Sequence, residues 1–375
     1  MSANYRKLGE IVELIDERNK SLVTSEVLGI SIDKEFMPSV ANTIGTDLSK
    51  YKLIKKNTFA CNPMHVGRDE RLPVALYKGE EPAIVSPAYF MFNVKNENQV
   101  LPDFLMLLFR REDFDRNCWF STDGSVRGGI TWEALCEIEL PIPAIEVQQK
   151  IVDSYNAITK RIQIKQKINE NLEKTAQCLF ENVFKHELQK EEISFTDVID
   201  LLGGGTPSTA EKAYWSGNIP FFAPADIEKS IFCFSTEKNL TEEGLNNCSS
   251  KLYPKNTTFV TCRGTVGKLA LAGIPMAMNQ SCYALKDKNG QYPFFTYSFA
   301  KFTVSKLKNK ASGAVFSALV TKDFEMEKVF NPNLEKMKEY ETKSSSIFEN
   351  ISSNEKEIAK LQELKQLVIS RISEI

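Results

Sequence analysis

Apolar residues along this chain follow one order of spacings, and that order is run through twice. Each half opens with a short apolar stretch, Leu8–Ile15 and Phe195–Leu202. Each then reaches a strand-like segment behind a lysine-bearing turn, Lys56-Asn-Thr-Phe-Ala60 and Lys255-Asn-Thr-Thr-Phe-Val260. A Phe-rich stretch with the three-to-four spacing of an amphipathic helix follows, at Asp103–Phe114 and Phe294–Leu307. Next come a Gly/Ser loop (Ser125–Trp132 and Ser312–Leu319) and a short strand ended by proline (Ile138–Pro143 and Glu327–Pro332). From Ile130 onward the copies keep a near-constant offset, pairing Ile130 with Leu319, Leu135 with Phe324, Pro143 with Pro332 and Glu146 with Glu335. Short apolar motifs recur by chance, but five elements in one order ending at aligned prolines indicate an internal repeat.

Each half then releases a long helix. Apolar residues recur at Ile151, Tyr155, Ile158 and Ile162, then Ile168, Leu172, Leu179 and Val183; the second set is Ile347, Ile351, Ile358, Leu361, Leu364, Val368 and Ile372. Spacings of three and four, broken at Lys165 and Asn354, read as coiled-coil seams with a stutter. At 1.5 Å per residue each helix would run roughly 60 Å, too long for a helix buried in a globular core. The predicted class is α+β: two tandem domains of mixed α/β structure, separated and closed by two long helices forming an antiparallel coiled coil. The boundaries are residues 1–144 for the first domain, 145–190 for the central helix, 191–333 for the second domain and 334–375 for the C-terminal helix.

Composition narrows the class. With 375 residues, 42% hydrophobic and 26% charged, the chain reads as a soluble globular protein. No run approaches the ~20 apolar residues of a membrane span, and the first residues lack a signal peptide's apolar core, so a cytoplasmic location is expected. The eight cysteines are scattered singly and there are two histidines, which argues against a zinc site. A net charge of -2 hides an uneven distribution. Between Cys248 and Lys322 eleven basic residues oppose Asp287 alone, and between Lys50 and Lys78 seven oppose Asp69 and Glu70. Two basic windows at matching places favour a polyanion over a merely solvated face.

Three motifs invite a catalytic reading, and each fails on chemistry. Asn62-Pro-Met-His65 superficially resembles the Asn-Pro-Pro-aromatic loop of adenine methyltransferases, but His65 stands where a ring must stack on the flipped base. Cys262–Lys268 lacks the first glycine of a phosphate-binding loop, and Leu269 replaces its Ser/Thr. Gly203-Gly-Gly-Thr-Pro207 reads as the opening turn of the second domain, with glycine supplying positive φ. The DNA-contact candidates are polar and basic loop residues: His65, Arg68, Arg71, Ser125 and Arg127 in the first half, and Thr206, Ser208, Lys212, Arg263, Thr265, Lys268, Asn279, Gln280 and Ser312 in the second. Arginine suits guanine, and Asn or Gln suits adenine, by bidentate pairing. Against this, Arg68 can pair with Asp69 or Glu70, Asn279-Gln280 can cap a turn, and Trp132 and Trp215 read as packing residues.

Several stretches together resemble the specificity subunit of Type I restriction-modification systems. They are Cys61–Pro73, Gly203–Ser208 with Tyr214–Pro220, Arg263–Lys268 with Asn279-Gln280, and Gly129–Glu133 running into Glu139–Pro143 and Val147–Val152. The resemblance covers essentially the whole chain in the family's order of recognition domain, helix, recognition domain, helix. It implies a non-catalytic subunit whose two target-recognition domains each read half of a bipartite, asymmetric site on double-stranded DNA. It also implies helices that act as spacer and dock two methyltransferase subunits, with restriction subunits joining that core. The chain itself would hold no cofactor; S-adenosylmethionine, ATP and magnesium belong to the partners. The readings left beside it are a specificity subunit of another phage-defence methylation system, a coiled-coil scaffold that never meets DNA, and an enzyme active without partners.

Overall fold

The computed structural model describes residues 4–40, 45–122, 128–190, 192–227, 230–310 and 318–374. The chain divides into two compact units, residues 1–161 with 361–375, and residues 162–360.

In the first unit an antiparallel sheet runs in the order Val12–Ile15, Phe90–Val94, Phe59–Cys61, Val74–Leu76. In the second the order is Ile199–Gly203, Cys282–Asp287, Thr258–Thr261, Leu269–Ala272, extended by a parallel edge strand, Phe232–Cys233. The first four positions correspond one to one, so the repeat seen in sequence is a repeat of topology. Each unit adds a second sheet, four-stranded around Ala83–Val85 and three-stranded around Trp215–Phe222. Each is also clasped by an antiparallel pair, Asn4–Lys7 with Glu139–Ile142 and Ile193–Ser194 with Lys328–Val329.

The shared Lys-Asn-Thr turn has a local cause. Asn57 and Asn256 both adopt positive φ (64° and 68°), which asparagine tolerates better than most residues. Their N–H groups donate to the neighbouring strand's end, at Tyr77 O (2.9 Å) and Ala272 O (2.8 Å). The next residues enter the central strand, where Phe59 and Phe259 are fully buried. The conserved offset also has a physical basis. Ile130 N–H donates to Pro63 O at 3.1 Å, and Leu319 N–H to Cys262 O at 2.9 Å, so both copies return to the same strand end.

One expectation is corrected. The stretch Asp103–Phe114 is two helices, Pro102–Phe109 and Glu112–Phe120, interrupted where Arg111 takes an extended conformation. Nor is the first of them amphipathic: Phe104 through Phe109 are all buried, because the helix crosses the middle of the unit's core. Its counterpart Pro293–Lys310 is continuous.

The long helices are Ile145–Val183 and Leu334–Ser370. Within the second unit they run antiparallel: Tyr340 lies against Ala176, its hydroxyl donating to the carbonyl at 3.3 Å, while Glu357 pairs with Lys165 at 2.7 Å. The two seam breaks meet there, Lys165 donating to Asn354 Oδ1 (2.9 Å) and Asn354 to Asn169 Oδ1 (2.8 Å). A polar layer of this kind fixes register at some cost in stability. Within the first unit Lys365 sits over the Tyr155 ring at 4.8 Å, and Val152 and Tyr155 share a core with Ile369 and Ile372.

Two carboxylates on the C-terminal helix, the half-buried Glu341 and the buried Glu355, tie it to the second unit's inner helix and sheet. Glu341 accepts the N–H groups of Phe294 (3.1 Å) and Phe295 (2.9 Å), which open the helix Pro293–Lys310. Glu355 accepts those of Ile231 (2.7 Å) and Phe232 (2.9 Å) at the edge strand. Burial pushes both carboxyls up to about 7 against the pull of these donors. Among the described residues no helix is long and apolar enough to cross a membrane.

Candidate nucleic-acid interface

In the first unit the central strand ends at Cys61 and runs into Asn62, whose side chain accepts the Met64 N–H at 3.1 Å and starts the turn Pro63–His65. The short helix Val66–Asp69 follows, and Glu70 at φ 53° reverses the chain toward Arg71. The closing part of the Gly/Ser loop packs on this turn: Gly67 N–H donates to Gly128 O at 2.9 Å, and a Cβ on Gly129 would lie 2.9 Å from Pro63 O. The candidates around His65 and Arg68 are thus beside the flank of the loop that carries Ser125 and Arg127. Those two residues, like Ser312, lie outside the described residues, as does the His65 side chain.

Arg68 is exposed and forks onto Asp69 at 2.6 and 2.9 Å, and this contact raises its proton affinity. An exposed pair of this kind is weak and screened by solvent, so another anion can replace the carboxylate. Arg71 is exposed, has no ion pair among the described residues, and lines a cleft of about 990 Å³ with Arg110, Arg116, Glu70 and Glu112. Beneath it lies a buried ion pair that sequence reading did not find. Asp115 accepts the Leu72 N–H at 3.0 Å and the Lys34 ammonium at 2.7 Å, and Lys34 also donates to Phe109 O. Burial lowers the Lys34 proton affinity and Asp115 opposes the shift. The pair anchors the backbone next to Arg71. In sequence, Lys34 sits in the polar run Ser31-Ile-Asp-Lys-Glu35 and nothing marks it as buried.

The second unit brings most of its candidates to three adjoining turns. Gly204 packs so close to the segment ahead of Asn279 that a Cβ would fall 2.2 Å from Asn279 O, and Gly205 N–H donates to Met278 O at 3.2 Å. Thr206 hydrogen-bonds Gln280 across this contact. The expectation that these glycines supply positive φ is corrected: none does, and what Gly204 and Gly205 provide is room for close backbone approach. Asn279 Oδ1 caps a turn by accepting the Ser281 N–H at 2.9 Å. Ser281 O in turn accepts the Cys262 N–H at 2.8 Å, and Arg263 bridges to Ala318 next to the second Gly/Ser loop. Arg263, Thr265, Lys268, Ser208 and Lys212 are exposed. Lys212 opens the short turn Lys212–Tyr214, whose neighbour Trp215 donates to Ser208 O at 3.1 Å and packs on Phe221. Trp132 likewise packs, against Phe90 and Phe92.

The turn Cys262–Lys268 joins two antiparallel strands, with Gly264 and Gly267 at φ 75° and 71°. A phosphate-binding loop needs a helix after it, so the local topology agrees with the chemical objection. Burial pushes the thiols of Cys61 and Cys262 up to about 12, so neither offers a thiolate at neutral pH.

The basic windows fare unequally. In the first, Lys50, Lys52, Lys55, Lys56, Arg68 and Lys78 each face a carboxylate, Asp47, Asp16, Glu17, Glu80, Asp69 and Asp103 respectively. In the second, Lys288, Lys301 and Lys306 face Asp200, Glu173 and Glu327, whereas Arg263, Lys268 and Lys322 have no ion pair among the described residues.

The family model described as Type I restriction modification DNA specificity domain matches residues 3–174 and again 188–367, one match per repeat. The specificity subunit of the Type I restriction enzyme HindI from Haemophilus influenzae is 25% identical, over 76% of this chain and 79% of its own. A putative Type I restriction enzyme specificity subunit, MjaX, from Methanocaldococcus jannaschii is 22% identical, over 97% and 91%. Among solved structures, the Type I restriction-modification S subunit from M. genitalium shares the fold with a TM-score of 0.59 at 14% identity, covering 99% of this chain and 96% of that one.

Proposed function

The chain belongs to the Type I restriction-modification DNA specificity family, and we propose that it reads a bipartite, asymmetric site on double-stranded DNA without catalysing a reaction itself. In this reading each unit contacts one half-site through the turn that follows its central strand, using His65, Arg68, Arg71, Ser125 and Arg127 in the first. The second uses Arg263, Thr265 and Lys268 with Thr206, Ser208, Lys212, Asn279, Gln280 and Ser312. The long helices dock two methyltransferase subunits, and restriction subunits join the assembly. S-adenosylmethionine, ATP and magnesium act on those partners, and the work takes place in the cytoplasm.

The observation that supports the proposal is the duplicated strand order, with a polar turn of different sequence after the central strand that accepts, in both units, a hydrogen bond from the residue closing the Gly/Ser stretch, Ile130 or Leu319. Shared scaffolds with different side chains suit two different half-sites. Methylome sequencing of cells expressing the chain with its methyltransferase tests this. A split adenine motif that disappears on deletion of the chain is expected; a continuous motif, or methylation indifferent to the deletion, refutes it.

A further inference from the structure

The helix Pro293–Lys310 passes directly behind the turn Cys262–Lys268. Lys308 donates to Gly267 O at 2.7 Å. Gly267 has φ 71°, and a Cβ there would come within 2.6 Å of Lys308 Cε and 2.9 Å of Val304 Cγ1, so glycine suits both the turn and its side-chain contacts with the helix. Between turn and helix opens a cleft of about 280 Å³ lined by Lys268, Lys301, Lys308 and Glu173 among others. Glu173 is the one carboxylate lining it among the described residues, and it is already held by the Lys301 ammonium and the Tyr297 hydroxyl. Lys268 and Lys308, both exposed, therefore share the cleft with no carboxylate of their own among the described residues, and partial desolvation together with the Lys268 charge lowers the proton affinity of Lys308. An anion placed between two ammonium groups at one cleft is attracted by both and relieves their mutual repulsion.

Resting on the DNA-reading function above, we propose that Lys268 and Lys308 clamp one phosphodiester group of duplex DNA, Lys308 from the helix and Lys268 from the turn. Lysine suits this role because its ammonium is a compact point charge with rotatable donors. The contact reads no base. It fixes the register of the turn, because the ammonium that holds the phosphate also holds the Gly267 carbonyl.

The test is fluorescence anisotropy of the full chain on a labelled duplex, across a salt series, with Lys308→Met, Lys308→Arg and, as control, the exposed helix substitution Lys174→Ala. Loss of one phosphate contact lowers the slope of log affinity against log salt by about 0.9, so a fourfold rise in salt weakens the parent about 3.5-fold more than Lys308→Met. Lys308→Arg and Lys174→Ala are expected to keep the parental slope. An unchanged slope in Lys308→Met overturns the clamp, and so does an equal loss of affinity at every salt concentration, which would make Lys308 only a support for Gly267. Inorganic phosphate that stabilises the parent but not Lys308→Met, with equal DNA slopes, assigns the cleft to a free anion and also overturns it. If the parent itself shows no salt-dependent binding, the DNA-reading function fails first.

Discussion

Replacing Glu355 by glutamine separates the two forces acting on that carboxylate. Its oxygens accept from Ile231 and Phe232, which favours ionisation, while burial and the nearby Glu173 favour the neutral form and prevail, raising it from 4.5 to about 7. A carboxyl that binds its proton more tightly in the fold stabilises the fold most at low pH. The contribution is complete below about 4.5, declines as pH rises, and is gone above about 7. A displacement of that size corresponds to about 3 kcal/mol at 1.36 kcal/mol per unit. Glutamine does not titrate, and its single oxygen serves one of the two buried N–H groups, leaving the other unpaired at about 1–3 kcal/mol. Parent and Glu355→Gln would be unfolded in urea from pH 5 to pH 8, with peptide-resolved hydrogen exchange reading the second unit alone. Glu341 is common to both proteins, so its titration cancels in the difference. The parent's advantage is expected to shrink by about 2–3 kcal/mol between pH 5 and 8. A difference that is constant or grows with pH would mean that the carboxylate stays ionised throughout, and the burial argument would be wrong.

Three further substitutions probe other parts of the chain. Arg263→Ala is expected to cost about 1–3 kcal/mol of specific binding and to relax discrimination in one half-site only, measured on duplexes mutated in either half; equal affinity for the cognate duplex removes Arg263 from the interface. Lys34→Met leaves Asp115 charged and buried and is expected to lower stability by about 3–5 kcal/mol, while Lys34→Met with Asp115→Leu recovers much of it. A double variant that melts as early as the single one in thermal denaturation contradicts this. Gly204→Ala sets a methyl 2.2 Å from Asn279 O and is expected to lower the second unit's melting temperature by several degrees, whereas Gly203→Ala, with nothing within 4 Å, leaves it unchanged; equal melting of the two refutes the close-approach argument.

The repeat was legible in sequence because it is written in features with local causes. The Lys-Asn-Thr turn needs a residue that tolerates positive φ, the central strand needs a buried Phe, and the Ile130–Leu319 offset follows from a return to the same strand end. The long helices were legible from periodicity, and the interruptions at Lys165 and Asn354 proved to face each other. What sequence could not supply was the identity of distant partners. The charge excess between Lys50 and Lys78 looked free until Asp16, Glu17, Asp47, Glu80 and Asp103 came to it from outside the window. The Gly203–Gly205 run carries the same letters whether glycine serves φ or proximity, and only the position of Asn279 decides. Lys34 and Lys308 were missed for a related reason, since each acts through a carbonyl far along the chain.

The clasps have a consequence for how such a chain changes over generations. In each unit the first strand pairs antiparallel with the last, Asn4–Lys7 with Glu139–Ile142 and Ile193–Ser194 with Lys328–Val329, so the backbone arrives and departs at adjacent points. A segment with neighbouring ends is suited to exchange as a cassette, provided the insert rebuilds both the ladder bonds of the clasp and the packing on the long helices, where Val152 and Tyr155 meet the first unit's core and Glu341 and Glu355 tie into the second. An insert that meets both conditions changes a whole unit in one recombination and leaves the other unit's sequence as it was.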